Sequence, residues 1–414
     1  MQKIAVLGAG ITGVTTAAKL HEQGFDVTII DRQRYAAMET SFANGGQLSA
    51  SNAEVWNTWA TVIKGLKWMF ESGAPLLVNP KPSWHKISWM LEFLGQIPNY
   101  ERNTIATTSL AIEARAELSA LASRWGVNFD HSECGILHFY SDKPAYEHAR
   151  RVSALLAKGG LSRDELTPEQ IHAREPQLKG DFVGGFWTPS DSTGDIHKFT
   201  YGLAEAIRKS GVKFMMETEL RDVKTDKQGV TMTDAKQNQF RFDAVVVCTG
   251  VASREIAAKL GDRVNIYPVK GYSITVNLRD EQSQQAAPLV SLLDDKAKIV
   301  TSRLGKDRFR IAGTAEFNGF NRDIREDRIK PLVNWCQTYF PEVSTQSAVP
   351  WAGLRPMMPN MMPKLGQGRN PNVFYNTGHG HLGWTLSAAT AAIVTKAVSD
   401  ARDQRNTGDM LLSH

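Results

Sequence analysis

Short apolar runs of about four residues, each closed by a glycine or a charge, alternate with helical patterns along much of the chain. Ile4-Ala5-Val6-Leu7 has no polar member, as expected of a strand buried on both faces. From Val14 to about Gln23 the small and apolar positions Ala17, Ala18 and Leu20 predict a helix that stops at Gly24, and Val27-Thr28-Ile29-Ile30 predicts a second buried strand. Further on, helices are predicted over 103–125, 146–158, 197–209 and 386–398. Strands are predicted at 135–140 and 183–187, then in a β-meander over 212–242. Ala244-Val245-Val246-Val247-Cys248, meeting Thr249-Gly250, reads as another buried strand of the first sheet, which the meander should join. Since this strand comes some 200 residues after the first two, the first unit must be interrupted. Alternating patterns at 266–276, 298–302 and 308–313 suggest that the interruptions build a separate, mainly antiparallel sheet. The segment 161–180 reads as polar and turn-rich.

The turn joining the first strand to its helix is Gly8-Ala9-Gly10-Ile11-Thr12-Gly13. Gly8 allows the tight turn, Gly10 lets a pyrophosphate approach the backbone, and Gly13 lets the helix lie close to the strand. Free N–H groups and the positive end of the helix dipole then favour phosphate. Asp31 ends the second strand, 18 residues beyond Gly13, where a carboxylate can accept both hydroxyls of an adenosine ribose. The full strand–turn–helix–strand context predicts a bound adenine dinucleotide.

Composition narrows the picture. A chain of 414 residues with 42% hydrophobic positions can bury a sizeable core in two or more domains. The net charge of +5 is spread without a run of like charges, which argues against a nucleic-acid partner. Cys134, Cys248 and Cys336 lack metal-site or disulfide spacing, so no metal and a cytoplasmic compartment are expected. No signal-peptide pattern precedes the first strand, and no apolar run is long enough to span a bilayer. Residues 55–98 carry five of the ten tryptophans (Trp56, Trp59, Trp68, Trp84 and Trp89), with Ile63, Leu66, Met69 and Phe70 broken by Lys64 and Lys67. Core or subunit packing is the commoner use of such a band, and an interfacial membrane contact is the other.

Three further stretches offer chemistry. Ser41 to Leu48 is a small-residue loop able to line a dinucleotide through Ser41, Asn44, Gly45, Gly46, Gln47 and Leu48. Pro350-Trp351-Ala352-Gly353-Leu354-Arg355-Pro356 holds one arginine on a stiff segment, suited to a two-pronged grip on a carboxylate. A second glycine turn, Asn376-Thr377-Gly378-His379-Gly380-His381-Leu382-Gly383-Trp384, opens the last helix, where a helix dipole would favour a reduced flavin. His379 and His381 fit a general base or plain backbone support equally well. Asp195 reads as a helix N-cap.

Taken together, Gly8 to Gly13, Ser41 to Gln47, Gly194-Asp195-Ile196-His197-Lys198-Phe199, Pro268-Val269-Lys270-Gly271-Tyr272-Ser273, Gly353-Leu354-Arg355-Pro356 and Thr377 to Trp384 resemble the FAD-dependent D-amino-acid oxidase superfamily. The resemblance covers nearly the whole chain. It implies an α/β fold with an FAD-binding Rossmann-like domain of the glutathione-reductase type, interrupted by an α+β substrate domain. The expected division is 1–80, 196–261 and 347–400 for FAD, 81–195 and 262–346 for substrate, and a polar tail at 401–414. FAD would be noncovalent and held by Gly8, Gly10, Ile11, Thr12, Gly13, Asp31, Arg32, the 41–48 loop, Thr249, Gly250 and Gly378 to Gly383. The resemblance also implies oxidative deamination of a D-amino acid by hydride transfer from Cα to flavin N5. Arg355 would hold the substrate carboxylate with Tyr272 beside it, and His379 is the remaining catalytic candidate. Electrons would pass to a quinone or other respiratory acceptor, with peripheral contact at the cytoplasmic face of the inner membrane. An oxygen-using glycine- or sarcosine-type oxidase, a nicotinamide-dependent dehydrogenase and a non-catalytic FAD subunit remain alternatives.

Overall fold

The computed structural model describes residues 2–68 and 74–412, the stretch from 405 onward as backbone only. Met69 and Phe70 of the Trp-rich band lie outside the described residues.

The first sheet has six strands in the order Lys364–Gln367, Val373–Thr377, Ala244–Val247, Lys3–Leu7, Asp26–Ile30 and Lys213–Met215. All neighbours run parallel except the first pair. Alternation along Lys3–Leu7 shows why its run is wholly apolar. Ile4 and Val6 pack against the helices Ile11–Glu22, Tyr100–Trp125, Ile196–Lys209 and Gly383–Leu412, whereas Ala5 and Leu7 face the opposite layer. That layer is the meander Leu220–Asp226, Gly229–Asp234 and Gln239–Phe242, which forms its own three-stranded sheet instead of extending the first one. Val223, Val230 and Met232 close the core from that side.

A second, nine-stranded sheet is antiparallel apart from two pairs. Its order begins Val349–Met357, Tyr267–Asn277, Arg308–Phe317, Ile299–Leu304, Ser291–Asp294, Ile136–Tyr140, and Leu76–Val78 joins beside Arg308–Phe317. Val349–Met357 and Leu76–Val78 fall in stretches that the sequence assigned to the FAD unit, yet their ladders belong to the second sheet. The helix Glu326–Tyr339 covers one face of this sheet, packing Leu332, Trp335 and Cys336 on Ile274, Val276 and Ile311. The other face is turned toward the first sheet.

Local patterns were missed where they were short. The polar 161–180 stretch contains the strand Asp164–Leu166 and the helix Pro168–Arg174, started by a Thr167/Gln170 capping box. The last helix runs on to Leu412 through the expected tail. In the Trp-rich band, the helix Trp59–Trp68 buries none of its residues, leaving Trp59 63% and Leu66 58% exposed. Trp84 on the helix Trp84–Gly95 is 76% exposed, while Trp89 and Phe93 are buried. Core packing therefore accounts for only part of the band.

Candidate active site

A cavity of about 1120 Å³ lined by residues of both sheets has room for a cofactor with its substrate. At one end lies the first glycine turn. Gly8 has φ +102°, and a Cβ there would sit 2.6 Å from the Cys248 carbonyl oxygen. A Cβ on Gly13 would lie 1.9 Å from the Gly8 carbonyl oxygen, so Gly13 serves helix–strand packing and does not face the cavity. Gly10 is the N-cap of Ile11–Glu22 and offers no side-chain cap, and the first turn has no acidic residue. Its leading amides are thus open to an anion, apart from that of Ile11, which donates to Ser41 Oγ at 3.0 Å.

The Asp31 carboxylate accepts from the Ala9 and Gln33 amides at 2.6 and 2.7 Å, and each oxygen keeps a lone pair for a further donor. Burial pushes its pKa up, against the pull of those two amides. Gly10, Thr12, Asp31, Arg32, Thr249 and Gly250 all line the cavity. Free amides at one point and a carboxylate with open lone pairs at another are what the pyrophosphate and ribose of an adenine dinucleotide require.

The 41–48 loop is pinned to the second sheet by its carbonyls. Ser273 Oγ donates to Ala43 O at 2.7 Å, Ser302 Oγ to Gly45 O at 2.7 Å, and Arg310 Nη1 to Asn44 O at 3.0 Å. Gly45 and Gly46 are pressed against Val300 and Ser302. Gln47 Nε2 reaches Ser291 Oγ at 2.8 Å. Leu48 is a correction: it turns into the core of the first unit and does not line the cavity.

Asp195 caps its helix, accepting from the His197 and Lys198 amides through Oδ1, and binds Arg308 through Oδ2 at 2.6 Å. Burial raises its pKa, but Arg308 and the amides outweigh this and hold it below the usual carboxylate value. The depressed value means stability that is present above about pH 4 and lost as pH falls through the folded pKa. Asp195→Asn should therefore cost about 1–3 kcal/mol near neutral pH and flatten the acid limb of the stability curve, as measured by urea unfolding from pH 3 to 7.

The second glycine turn takes left-handed backbone at Gly378 (φ +79°) and Gly380 (φ +60°) before the helix Gly383–Leu412. His379 bonds through Nε2 to Thr390 Oγ1 at 2.9 Å and is buried, which pushes its pKa down to about 3. His379 does line the cavity, and the bond from its Nε2 to Thr390 braces the turn on the last helix. His381 Nε2 faces Asn52 O at 3.1 Å and the ring stacks on Trp56, with burial lowering its pKa to about 4.

Arg355 lies across the second sheet. Its guanidinium covers Gly271 so closely that a Cβ there would meet Nη2 at 2.3 Å, which explains the glycine in Val269-Lys270-Gly271-Tyr272. Nη1 donates to Thr314 O at 2.9 Å, and no carboxylate pairs with the guanidinium among the described residues. Burial pushes its pKa down to about 10, leaving it charged at neutral pH.

Tyr272 forms part of the cavity wall, but its side chain departs from the expected place beside Arg355. Arg355 pairs with Val269 and Tyr272 with Ala352 in the same ladder, so Tyr272 projects to the opposite face. There its hydroxyl donates to Glu316 at 2.6 Å, beside the fully buried Lys270. Sequence reading also missed Trp56, Trp351, Thr314, Lys298 and Asp295 on the cavity wall. Trp351 packs flat over Gly353. No group of three or more potential metal ligands occurs among the described residues.

A phosphate-binding turn with a terminal carboxylate, a second glycine turn and an unpaired arginine around one cavity define a dinucleotide-dependent oxidoreductase of the flavoprotein type. The chain belongs to the FAD dependent oxidoreductase family, whose model matches residues 3–397. It is 59% identical to D-amino acid dehydrogenase 3 of Mesorhizobium japonicum, over 96% of this chain and 97% of that one. It is 38% identical to D-amino acid dehydrogenase of Dechloromonas aromatica, over 97% and 98%. In fold it is similar to glycine oxidase from Geobacillus kaustophilus, with a TM-score of 0.75 at 20% identity over 97% of this chain and 95% of that one.

Proposed function

We propose that this protein oxidises the Cα–N bond of D-amino acids, and the observation that carries the reading is the half-buried Arg355 guanidinium facing the cavity without a carboxylate partner among the described residues. A buried charge is costly alone and is relieved by an arriving carboxylate. The names of the relatives support D-amino acids as the source of that carboxylate. FAD, when bound, supplies the acceptor for a hydride and its electron pair. What remains for the protein is to pin the carboxylate through Arg355, keep the guanidinium oriented through Thr314 O, and exclude bulk water. The amine enters neutral, and the imino acid released adds water to give a 2-oxo acid and ammonia. No protein base is needed beyond solvent, in keeping with the neutral His379.

FAD is held here without a covalent link. The cysteine on the cavity wall, Cys248, is buried with its thiol pushed up to about 12, and the Nε2 atoms of both turn histidines are bonded to Thr390 and Asn52.

Electrons pass on to a quinone or comparable acceptor at the cytoplasmic face of the inner membrane. The helix Trp59–Trp68 supports this: Thr58, Thr61, Lys64 and Trp68 line the cavity, while Trp59, Ile63 and Leu66 are exposed. No described helix is long and apolar enough to cross a membrane. Anaerobic titration of the purified yellow protein should bleach the flavin band with D- but not L-amino acids, and the protein should float with anionic vesicles. A flavin that no D-amino acid bleaches would overturn the substrate; release of hydrogen peroxide in air would reassign the acceptor to oxygen.

A further inference from the structure

We infer that Lys298 and Asp295 form the far end of the substrate site and select amino acids whose side chain ends in a neutral group that both donates and accepts hydrogen bonds, such as a carboxamide. The inference rests on the carboxylate role of Arg355.

Thr314, in the strand Arg308–Phe317, and Lys298, the last residue of the turn before Ile299–Leu304, both take left-handed backbone, at φ +59° and +55°. Neither is a glycine, so both conformations are unfavourable and their coincidence points to a function. They touch directly, the Thr314 amide donating to Lys298 O at 3.4 Å. The distortion has two effects. It frees the Thr314 carbonyl from the ladder to receive Arg355, and it sets a lysine where a hairpin ordinarily keeps glycine or asparagine. Lys298 ends the turn between Ser291–Asp294 and Ile299–Leu304, and its side chain remains 53% exposed while lining the cavity.

The ammonium lies 3.0 Å from Asp295 Oδ1, and Asp295 Oδ2 accepts from the Tyr140 hydroxyl at 2.7 Å. Strand spacing places the Lys298 strand one step, about 4.8 Å, from the strand that carries Thr314. Gly271, Gly313 and Thr314 line the cavity together with Arg355 and Lys298, and His381 lies near enough to both cations to feel their charges, which puts the two on one stretch of wall. A substrate whose carboxylate is held by Arg355 can therefore extend its side chain toward Lys298. Glu54 also lines the cavity and acts on the Lys298 ammonium as a further nearby negative charge, so the lysine does not stand as a lone cation. Such a site suits a dipole: the lysine donates to its oxygen and Asp295 accepts from its N–H or O–H.

The test uses carboxylic acids that lack an amine and cannot be oxidised, with binding to the holoenzyme read from the flavin visible spectrum. Glutaramate carries the terminal amide, 5-methylhexanoate replaces it with an apolar group of the same shape, and glutarate carries a second charge. The wild type should bind glutaramate about tenfold or more tighter than 5-methylhexanoate. Lys298→Met should erase that preference by weakening glutaramate alone, and Asp295→Asn should reduce it. Equal losses for both ligands, an unchanged preference, or tightest binding of glutarate through Lys298 would each overturn the inference. Because these ligands need no turnover, failure of D-amino acids to bleach the flavin would leave the comparison readable. Absence of binding by all three acids would overturn the Arg355 role and this inference together.

Discussion

Arg355→Leu should raise the D-amino acid concentration for half-maximal flavin reduction by about 100- to 1000-fold, equivalent to about 3–4 kcal/mol. Removing one partner of a desolvated, hydrogen-bonded charge pair strands the other, which here is the carboxylate of a bound substrate. FAD content should stay unchanged, because the guanidinium's one bond within the protein goes to Thr314 O, far from the Gly8 turn and Asp31. The unliganded protein should melt no earlier than wild type, and even later, since a desolvated cation without a carboxylate partner has been removed. Arg355→Lys should recover only part of the affinity, because an ammonium cannot make two parallel bonds while also reaching Thr314. Stopped-flow reduction with flavin-to-protein absorbance ratios checks each point. Unaltered substrate affinity in Arg355→Leu would remove Arg355 from the site.

Gly13→Ala should yield protein that is colourless or insoluble, with FAD affinity lowered by about 1000-fold or more. The added methyl group would stand 1.9 Å from the Gly8 carbonyl oxygen, and neither backbone segment can give way cheaply. Gly8 is itself held against Cys248, whose amide donates to Leu7 O at 2.8 Å in the central pair of strands. The helix would have to lift from the sheet, carrying its leading amides away from the phosphates. Gly24→Ala is the control: that glycine also has positive φ, but nothing lies within 4 Å of its Cβ position, so a modest stability loss with full FAD content is expected. Flavin content and thermal melting of the two variants distinguish a lost cradle from general backbone strain.

Much of the cofactor end was legible in the sequence because its determinants are local. A four-residue apolar strand, a turn that only glycine can make, an amphipathic helix and a terminal carboxylate lie within 31 residues and constrain each other through backbone geometry. The N-cap role of Asp195 was readable for the same reason, although its bond to Arg308 was not. The substrate end depends on contacts between residues distant in sequence. Tyr272 stands beside Gly271 in a suggestive motif, but ladder pairing with 349–357 decides that Gly271 faces the cavity and Tyr272 the far side. The exposed faces of Trp59 and Trp84 could not be told from core positions by hydrophobicity, since burial is decided by which partner arrives.

The sequence by itself determined the two buried strands with the glycine turn between them, the carboxylate that Asp31 places at the second strand's end, and the arginine and second glycine turn that share the cavity with them. Each follows from period, glycine conformational freedom or charge within a few residues. Only the tertiary structure decided that Val349–Met357 crosses into the second sheet, that Gly271 makes room for Arg355, and that Thr314 and Lys298 are bent together on the cavity wall. Those features arise where strands separated by tens of residues are paired, and left-handed backbone in threonine and lysine is imposed by the surrounding ladder against their own preference.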